Sequence, residues 1–254
     1  MRAPQKPYRW LAEYYDKVFT VHRPWGEAAR RALLGAILPR IESACDLACG
    51  TGTTALQLAK RGIRTYAVDL SPGMCRVARR RGRDAGLRLH VYRQDMRNFR
   101  LPEPVDLFLC EFDALNHIPR KTDLARVLSS VARALKPGGY FFFDVNNRLG
   151  FKSYWKGTWC VEKPGLVLVM NNGNDAARDR AWSNCTWFIK KGRNWIRHAE
   201  RVEEVCWAEK EMRRALRKAG FGTVISRDST PFIKGNPMIT PGCRTHYLAR
   251  KNSL

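Results

Sequence analysis

Asp46-Leu47-Ala48-Cys49-Gly50-Thr51-Gly52 is the stretch that decides the fold. The residues leading into it, Ser43 to Ala48, read as a short buried strand. Gly50-Thr51-Gly52 reads as a turn, and Thr53 or Thr54 caps a helix that runs through Lys60. Gly62 ends that helix. Glycine reaches positive φ and lets a ligand approach the backbone closely. The helix that follows presents unpaired N–H groups to whatever sits there. A glycine-rich turn alone is a weak signal, so its neighbours must give it meaning.

Working outward, strands and helices alternate. Arg64–Asp69 is a second strand, and Ser71-Pro72 opens the next helix with an N-cap and a first-turn proline. Leu87–Tyr92 and Val105–Cys110 are strands three and four. A helix over Thr122–Leu135 is closed by Lys136-Pro137-Gly138-Gly139, and Tyr140–Val145 is strand five, apolar on both faces. This order predicts an α/β, Rossmann-like, mostly parallel sheet with helices on both faces. Upstream, residues 1–40 read as a helical segment, aromatic-rich over Tyr8 to Asp16, with a second run over Trp25–Leu38 closed by Pro39. Residues 41–145 and 208–254 form the core. Residues 146–207 break the rhythm. Strands over Leu166–Met170, Ala181–Lys190 and Asn194–Cys206, with turns at Asn171 to Asp175 and Lys191-Gly192, predict an antiparallel insertion over the sheet edge. A helix over Ala208–Lys218 and strands Phe221–Arg227 and Arg244–Ala249 complete the chain.

Three features stand where a ligand at the strand ends would need them. Asp69 closes strand two, and a carboxylate there can accept both hydroxyls of a ribose. It can also simply cap the Ser71 helix. Asp95 and Met96 follow strand three, where a carboxylate can accept an adenine amino group and a thioether can pack on the ring. Asp95 can equally cap a turn. Glu111-Phe112-Asp113-Ala114-Leu115-Asn116-His117 follows strand four and lies beside the expected crevice.

Taken in this order, Asp46 to Val145 resembles the class I S-adenosylmethionine-dependent methyltransferases. The carriers are the Asp46–Gly52 loop, Asp69 with Leu70-Ser71-Pro72-Gly73-Met74, the segment after strand four, Leu135 to Gly139, and Ala219-Gly220-Phe221. Ala48 stands where the family often has Gly. The resemblance implies seven strands with the last antiparallel, and S-adenosylmethionine as cofactor. It implies a cofactor site of Asp46, Ala48, Cys49, Gly50, Gly52, Asp69, Leu70, Met74, Asp95, Met96, Glu111 and Phe112. Tyr15-Asp16 is similar to a lid segment of small-molecule members, and the insertion to an acceptor-site cover. Tyr15 can also be simple core packing. His117 is the histidine nearest the crevice by sequence, with a titration range suited to proton transfer. It is a candidate base or acceptor-orienting group, and Asn116 a candidate orienter; both can instead support the loop. His198 and Glu200 share one face of an insertion strand and can face the acceptor or solvent.

Composition sets the outer limits. The 254 residues allow one α/β domain with an insertion. No apolar run reaches the roughly 18 residues of a membrane span, and no secretory leader is visible, which points to a cytoplasmic protein without a membrane partner. The eight cysteines form no Cys-x-x-Cys pair, so reduced structural thiols are expected and no metal site. The net charge of +23 leaves RNA open as a partner, although arginines on solvated helix faces explain it equally. Hence three readings stand: methyl transfer to nitrogen or oxygen of a small molecule, an RNA methyltransferase, and a cofactor-binding protein without catalysis. Sequence does not decide the oligomeric state.

Overall fold

The computed structural model describes residues 11–19, 23–232 and 240–253. Tyr8 to Trp10 of the aromatic-rich stretch lie outside them. The main sheet has seven strands: β1 Ser43–Leu47, β2 Arg64–Asp69, β3 Leu89–Arg93, β4 Val105–Cys110, β5 Leu135–Asn146, β10 Phe221–Asp228 and β11 Arg244–Lys251. A second, four-stranded sheet holds β6 Gly157–Lys163, β7 Leu166–Asp175, β8 Arg180–Lys191 and β9 Asn194–Val205.

The strand order is β10-β11-β5-β4-β1-β2-β3. β1 pairs in parallel with both β2 and β4, while β11 runs antiparallel to β5 and β10. From β1 the chain builds outward through β2 and β3, then crosses back to start β4 on the other side. That reversal leaves a crevice at the carboxyl ends of β1 and β4, where open α/β sheets bind ligands. Seven helices accompany the sheets among the described residues: α1 Tyr15–Phe19, α2 Arg23–Leu34, α3 Thr53–Ala59, α4 Pro72–Asp84, α5 Lys121–Ala134, α6 Arg148–Tyr154 and α7 Glu209–Lys218. One core face joins Phe108, Phe141 and Phe143 to Leu128 of α5 and Leu216 of α7. The opposite face packs Leu107, Leu109 and Phe142 against Leu34 of α2 and Leu58 of α3. Both faces of the central strands are therefore buried, as their unbroken apolar character predicted.

The second sheet is an antiparallel meander in the order β6-β7-β8-β9. Its inner face, with Leu166, Leu168, Trp187 and Val202, buries Val18 of α1 together with Tyr15 and Phe19. The same Tyr15 packs against Ala12, Met74 and Val77 on the α4 side. Thus α1 lies between insertion and core.

Several boundaries differ from the sequence reading. α2 ends at Leu34, and Pro39 sits inside a separate 3-10 turn over Leu38–Arg40 instead of closing one long helix. The Asn171–Asp175 stretch is strand, paired residue by residue from Asn171↔Asn184 to Asp175↔Arg180. Turn-forming residue types there yield to a continuous ladder. β6 and α6 were not expected. β6 has a mostly exposed face, so it lacks the apolar signal by which strands are recognised.

Candidate active site

The Asp46–Gly52 turn is built by backbone geometry. Ala48, Gly50 and Gly52 have φ of 58°, 54° and 81°. A Cβ on Gly52 would come within 2.9 Å of Ala78 Cβ on α4, so glycine there serves close packing. A Cβ on Gly50 would meet nothing within 4 Å, which leaves that side of the turn open to a ligand. Two carboxylates hold the turn. Asp69 accepts the Gly50 N–H at 2.9 Å and the Ser71 N–H at 2.7 Å. Asp46 accepts the Ala55 N–H at 3.0 Å and so ties β1 to the first turn of α3.

A cleft of about 130 Å³ opens over this turn. Of the residues expected from sequence, Tyr15, Asp46, Ala48, Cys49, Gly50, Asp69, Met74, Glu111, Phe112 and His117 line it. Asp16, Phe19, Thr51, Thr53, Thr54 and Ala114 line it too. Gly52, Leu70, Asp95, Met96 and Asn116 do not. Gly52 faces α4, and Leu70 is 59% exposed at the rim beyond Asp69. Asp95 is held by Arg97 through side chain and backbone, which lowers its pKa and realises the turn-capping alternative. Met96 packs against the main core. The buried Asn116 amide donates to the Asn146 and Val205 carbonyls and accepts the Asn146 N–H. Its polar atoms are consumed in joining β5 to β9.

The cleft is electrostatically unusual. Burial pushes Asp46 up to about 8, reinforced by the neighbouring Glu111 carboxylate. Glu111 is also raised by burial, although Arg30 of α2 pairs with it at 2.7 Å. Burial raises Asp69 as well, against three backbone hydrogen bonds that favour its charge. A cation entering here meets three carboxyl groups whose ionisation it would favour.

The far end is formed by the loop after β4. Phe112 and Asp113 both take positive φ, 58° and 52°. Asp144 of β5 holds them there by accepting both backbone N–H groups, at 2.8 and 3.1 Å. Arg244 of β11 pairs with Asp144 and, at 2.6 Å, with Asp113. Burial of the Tyr15 phenol, with Asp113 and Asp16 nearby, raises its pKa and keeps it protonated. Burial lowers the pKa of His117, partly against Asp113, and keeps the imidazole neutral at neutral pH. Asp113, His117 and Glu204 of β9 bring their ligand-type atoms within 4.8 Å of one another. Sequence reasoning missed Arg30, Asp144, Glu204 and Arg244. Glu204 had a signal, since it shares a strand face with His198 and Glu200. Those two lie earlier in β9, where Glu200 accepts the Trp187 indole N–H at 3.0 Å.

Comparisons with known proteins place the chain among methyltransferases. A family model described as "Methyltransferase domain" matches residues 44–139. A dTDP-3-amino-3,6-dideoxy-alpha-D-glucopyranose N,N-dimethyltransferase of Streptomyces fradiae is 32% identical over 246 residues, 92% of this chain and 90% of its own. A ubiquinone biosynthesis O-methyltransferase of Xylella fastidiosa is 33% identical over 105 residues, and the match spans only 41% of either chain. A crystal structure of an S-adenosylmethionine-dependent methyltransferase from Clostridium acetobutylicum superimposes with a TM-score of 0.80 at 23% identity, covering 97% of this chain and 100% of the other.

Proposed function

Because the chain belongs to the class I S-adenosylmethionine-dependent methyltransferases, we propose that it transfers the methyl group to a nitrogen or oxygen of a small molecule. The observation that carries this is the continuous cleft from Asp69 to His117. One end offers a ribose-accepting carboxylate and close-approach backbone, and the other a neutral imidazole and a protonated phenol. In this reading Gly50, Cys49 and Ala48 face the methionine part of the cofactor. Asp69 takes the ribose hydroxyls, and Met74 with Leu70 borders the adenine. Asp46 and Glu111 lie where the positive charge of the donor enters. Tyr15 and His117 stand at the acceptor end, with α1 as lid and the second sheet as acceptor cover. The sulfonium supplies the reactive methyl when bound. The chain supplies alignment of the acceptor opposite the leaving sulfur, and water exclusion by the lid.

The Streptomyces relative, which matches nearly the whole chain, acts on an amino sugar. A sugar-sized acceptor fits this reading. The test is a tritiated-methyl assay on a cell extract divided into RNA, protein and small-molecule fractions. Label is expected in the small-molecule fraction, and label confined to RNA or protein overturns the acceptor class. Asp69→Ala is expected to abolish labelling and to weaken cofactor binding by about 100-fold, from loss of charged hydrogen bonds.

A further inference from the structure

Along β9, Ile196, His198, Glu200, Val202 and Glu204 alternate onto one face. Glu204 is the last of them and is 2% exposed where β9 rejoins the core. Its Oε2 accepts the Asn146 side-chain N–H at 3.0 Å. A carboxyl oxygen of Glu204 also lies within 4.8 Å of one on Asp113. Two carboxyl groups that close resist double ionisation, so one of them keeps a proton. Arg244 decides which one carries it. Burial opposes charge on Asp113, but the guanidinium beside it holds the Asp113 carboxyl below the usual carboxylate range. Burial and the Asp113 charge push Glu204 far up, so Glu204 is the protonated member.

His117 is the third member. Its Nε2 lies 3.9 Å from Glu204 Oε1, and its Nδ1 meets the Glu203 carbonyl at 3.3 Å. A carbonyl only accepts, so this contact assigns the proton to Nδ1 and the lone pair to Nε2. The side chains of His117 and Asp113, 28% and 19% exposed, form the open side of the cluster, and His117 lines the cleft. Among the described residues, Asp144, Arg244, Tyr15 and Cys206 are further ionisable groups beside it.

We propose that Glu204 is a positioning residue for methyl transfer, acting through His117 and Asp113 to make the acceptor end of the cleft a seat for a basic amine. The proposal rests on the methyltransferase reading above. Asp113 and Asp144 outnumber the single guanidinium of Arg244, so this wall carries one uncompensated negative charge. An ammonium gains from that charge and a hydroxyl does not. On arrival the ammonium displaces the Glu204 proton to solvent. The Glu204 carboxylate then strengthens His117 as a base. His117 Nε2 takes a proton from the ammonium and frees the nitrogen lone pair. That pair forms the N–C bond while the C–S bond breaks, its electrons passing to sulfur. The sulfonium becomes a thioether, the product nitrogen carries the positive charge, and the proton on His117 leaves to water. Three such ligand groups can also hold a divalent cation. The guanidinium 2.6 Å from Asp113 opposes that occupant.

The experiment compares the full-length protein with Glu204→Gln, using radiolabelled S-adenosylmethionine and matched acceptors. The pairs are glucosamine with glucose, and dTDP-3-amino-3,6-dideoxyglucose with dTDP-6-deoxyglucose. Calorimetry with S-adenosylhomocysteine reads the cofactor site separately. Label is expected on the amine member. Glu204→Gln should raise KM for the amine about tenfold or more while leaving cofactor affinity in place. The proton released on amine binding, read from heats in buffers of different ionisation enthalpy, should vanish in the variant. If the variant does not fold, proton release by the unsubstituted protein decides alone. Label on hydroxyl members only, or on no member by a protein that binds the cofactor, overturns the proposal. So does unchanged KM with unchanged proton release, or activity that needs magnesium or manganese and is lost with a chelator. Failure to bind S-adenosylhomocysteine overturns the methyltransferase reading, and this proposal with it.

Discussion

At Ala48 a methyl group stands where left-handed backbone favours none. Its φ of 58° costs an L-residue with a Cβ about 1–2 kcal/mol. Glycine relieves that strain but loses more freedom on folding, by roughly 0.5–1 kcal/mol. Ala48→Gly is therefore expected to raise stability by about 0.5–1 kcal/mol, read as a small upward shift in the denaturant midpoint. A lower midpoint would contradict the strained geometry. Asp46 makes a second prediction. Its folded pKa, about 8, lies far above the 3.8 of an ordinary aspartate. Between those values the unfolded chain is ionised while the native carboxyl keeps its proton. The native state binds more protons, so this group's contribution to stability falls as pH rises towards 8. A bound cationic donor favours the ionised form, so binding expels that proton. Affinity for S-adenosylmethionine is expected to rise by up to about tenfold per pH unit below pH 8 and to level above it. Calorimetry at fixed ionic strength checks the slope. A pH-independent affinity would place the cation elsewhere. Asp46 and Asp69 were legible in the sequence because strand ends and a glycine turn fix them locally. Asp144 and Arg244 were not. They are 100 residues apart, and only the pairing of β11 with β5 brings them together.

The elements show the same division. Strands β1 to β5 announced themselves by apolar runs between turn residues, whereas β6 and the end of β7 did not, because much of their surface is open. The arginine run of α4 is mostly a solvated helix face, with Arg76, Arg79, Arg80 and Arg83 exposed. Arg81 departs from it: its Nη1 reaches Asp16 Oδ2 at 2.9 Å, the Thr51 carbonyl at 3.1 Å and Thr53 Oγ1 at 2.9 Å. Thr51 also donates to Asp16 Oδ1 at 2.8 Å. Arg80 pairs with Glu13 beside it, though both are half-exposed and add little. The Asp16–Thr51–Arg81 cluster therefore latches α1 to the cofactor turn. Both charged partners are 30% exposed, which discounts the charged hydrogen bonds to about 1 kcal/mol. Arg81→Met is expected to speed S-adenosylhomocysteine release by about fivefold in stopped-flow measurements, with the melting temperature little changed. An unchanged release rate would mean that α1 does not gate the cofactor.

Across the whole molecule, α1 is the piece that the two sheets share. Tyr15 packs on Met74 and Val77 at one side and joins the insertion cluster of Leu168 and Trp187 at the other. It also lines the cleft, so a ligand bound there would meet α1 and the second sheet through one side chain. No local pattern in the sequence could show this, because the three partners come from α4, α1 and β8. None of the described helices is long and apolar enough to cross a membrane. Some of the excess positive charge is spent internally, as in α4 and at Arg30 and Arg244. If α1 acts as a lid, the two sheets are coupled through it. A ligand at about 100 times its Kd stabilises the state that binds it by about 2.7 kcal/mol. Regions whose opening requires release of the ligand inherit that protection. Saturating S-adenosylhomocysteine is therefore expected to slow amide exchange in α1 and α3, and also in β8 where Trp187 covers Tyr15 and Phe19. The α5 and α7 layer, on the far face of the main sheet, should change only if exchange there needs global unfolding. Protection confined to α3 and the cofactor turn would show that the insertion senses nothing of the donor, and that α1 is core packing and no lid.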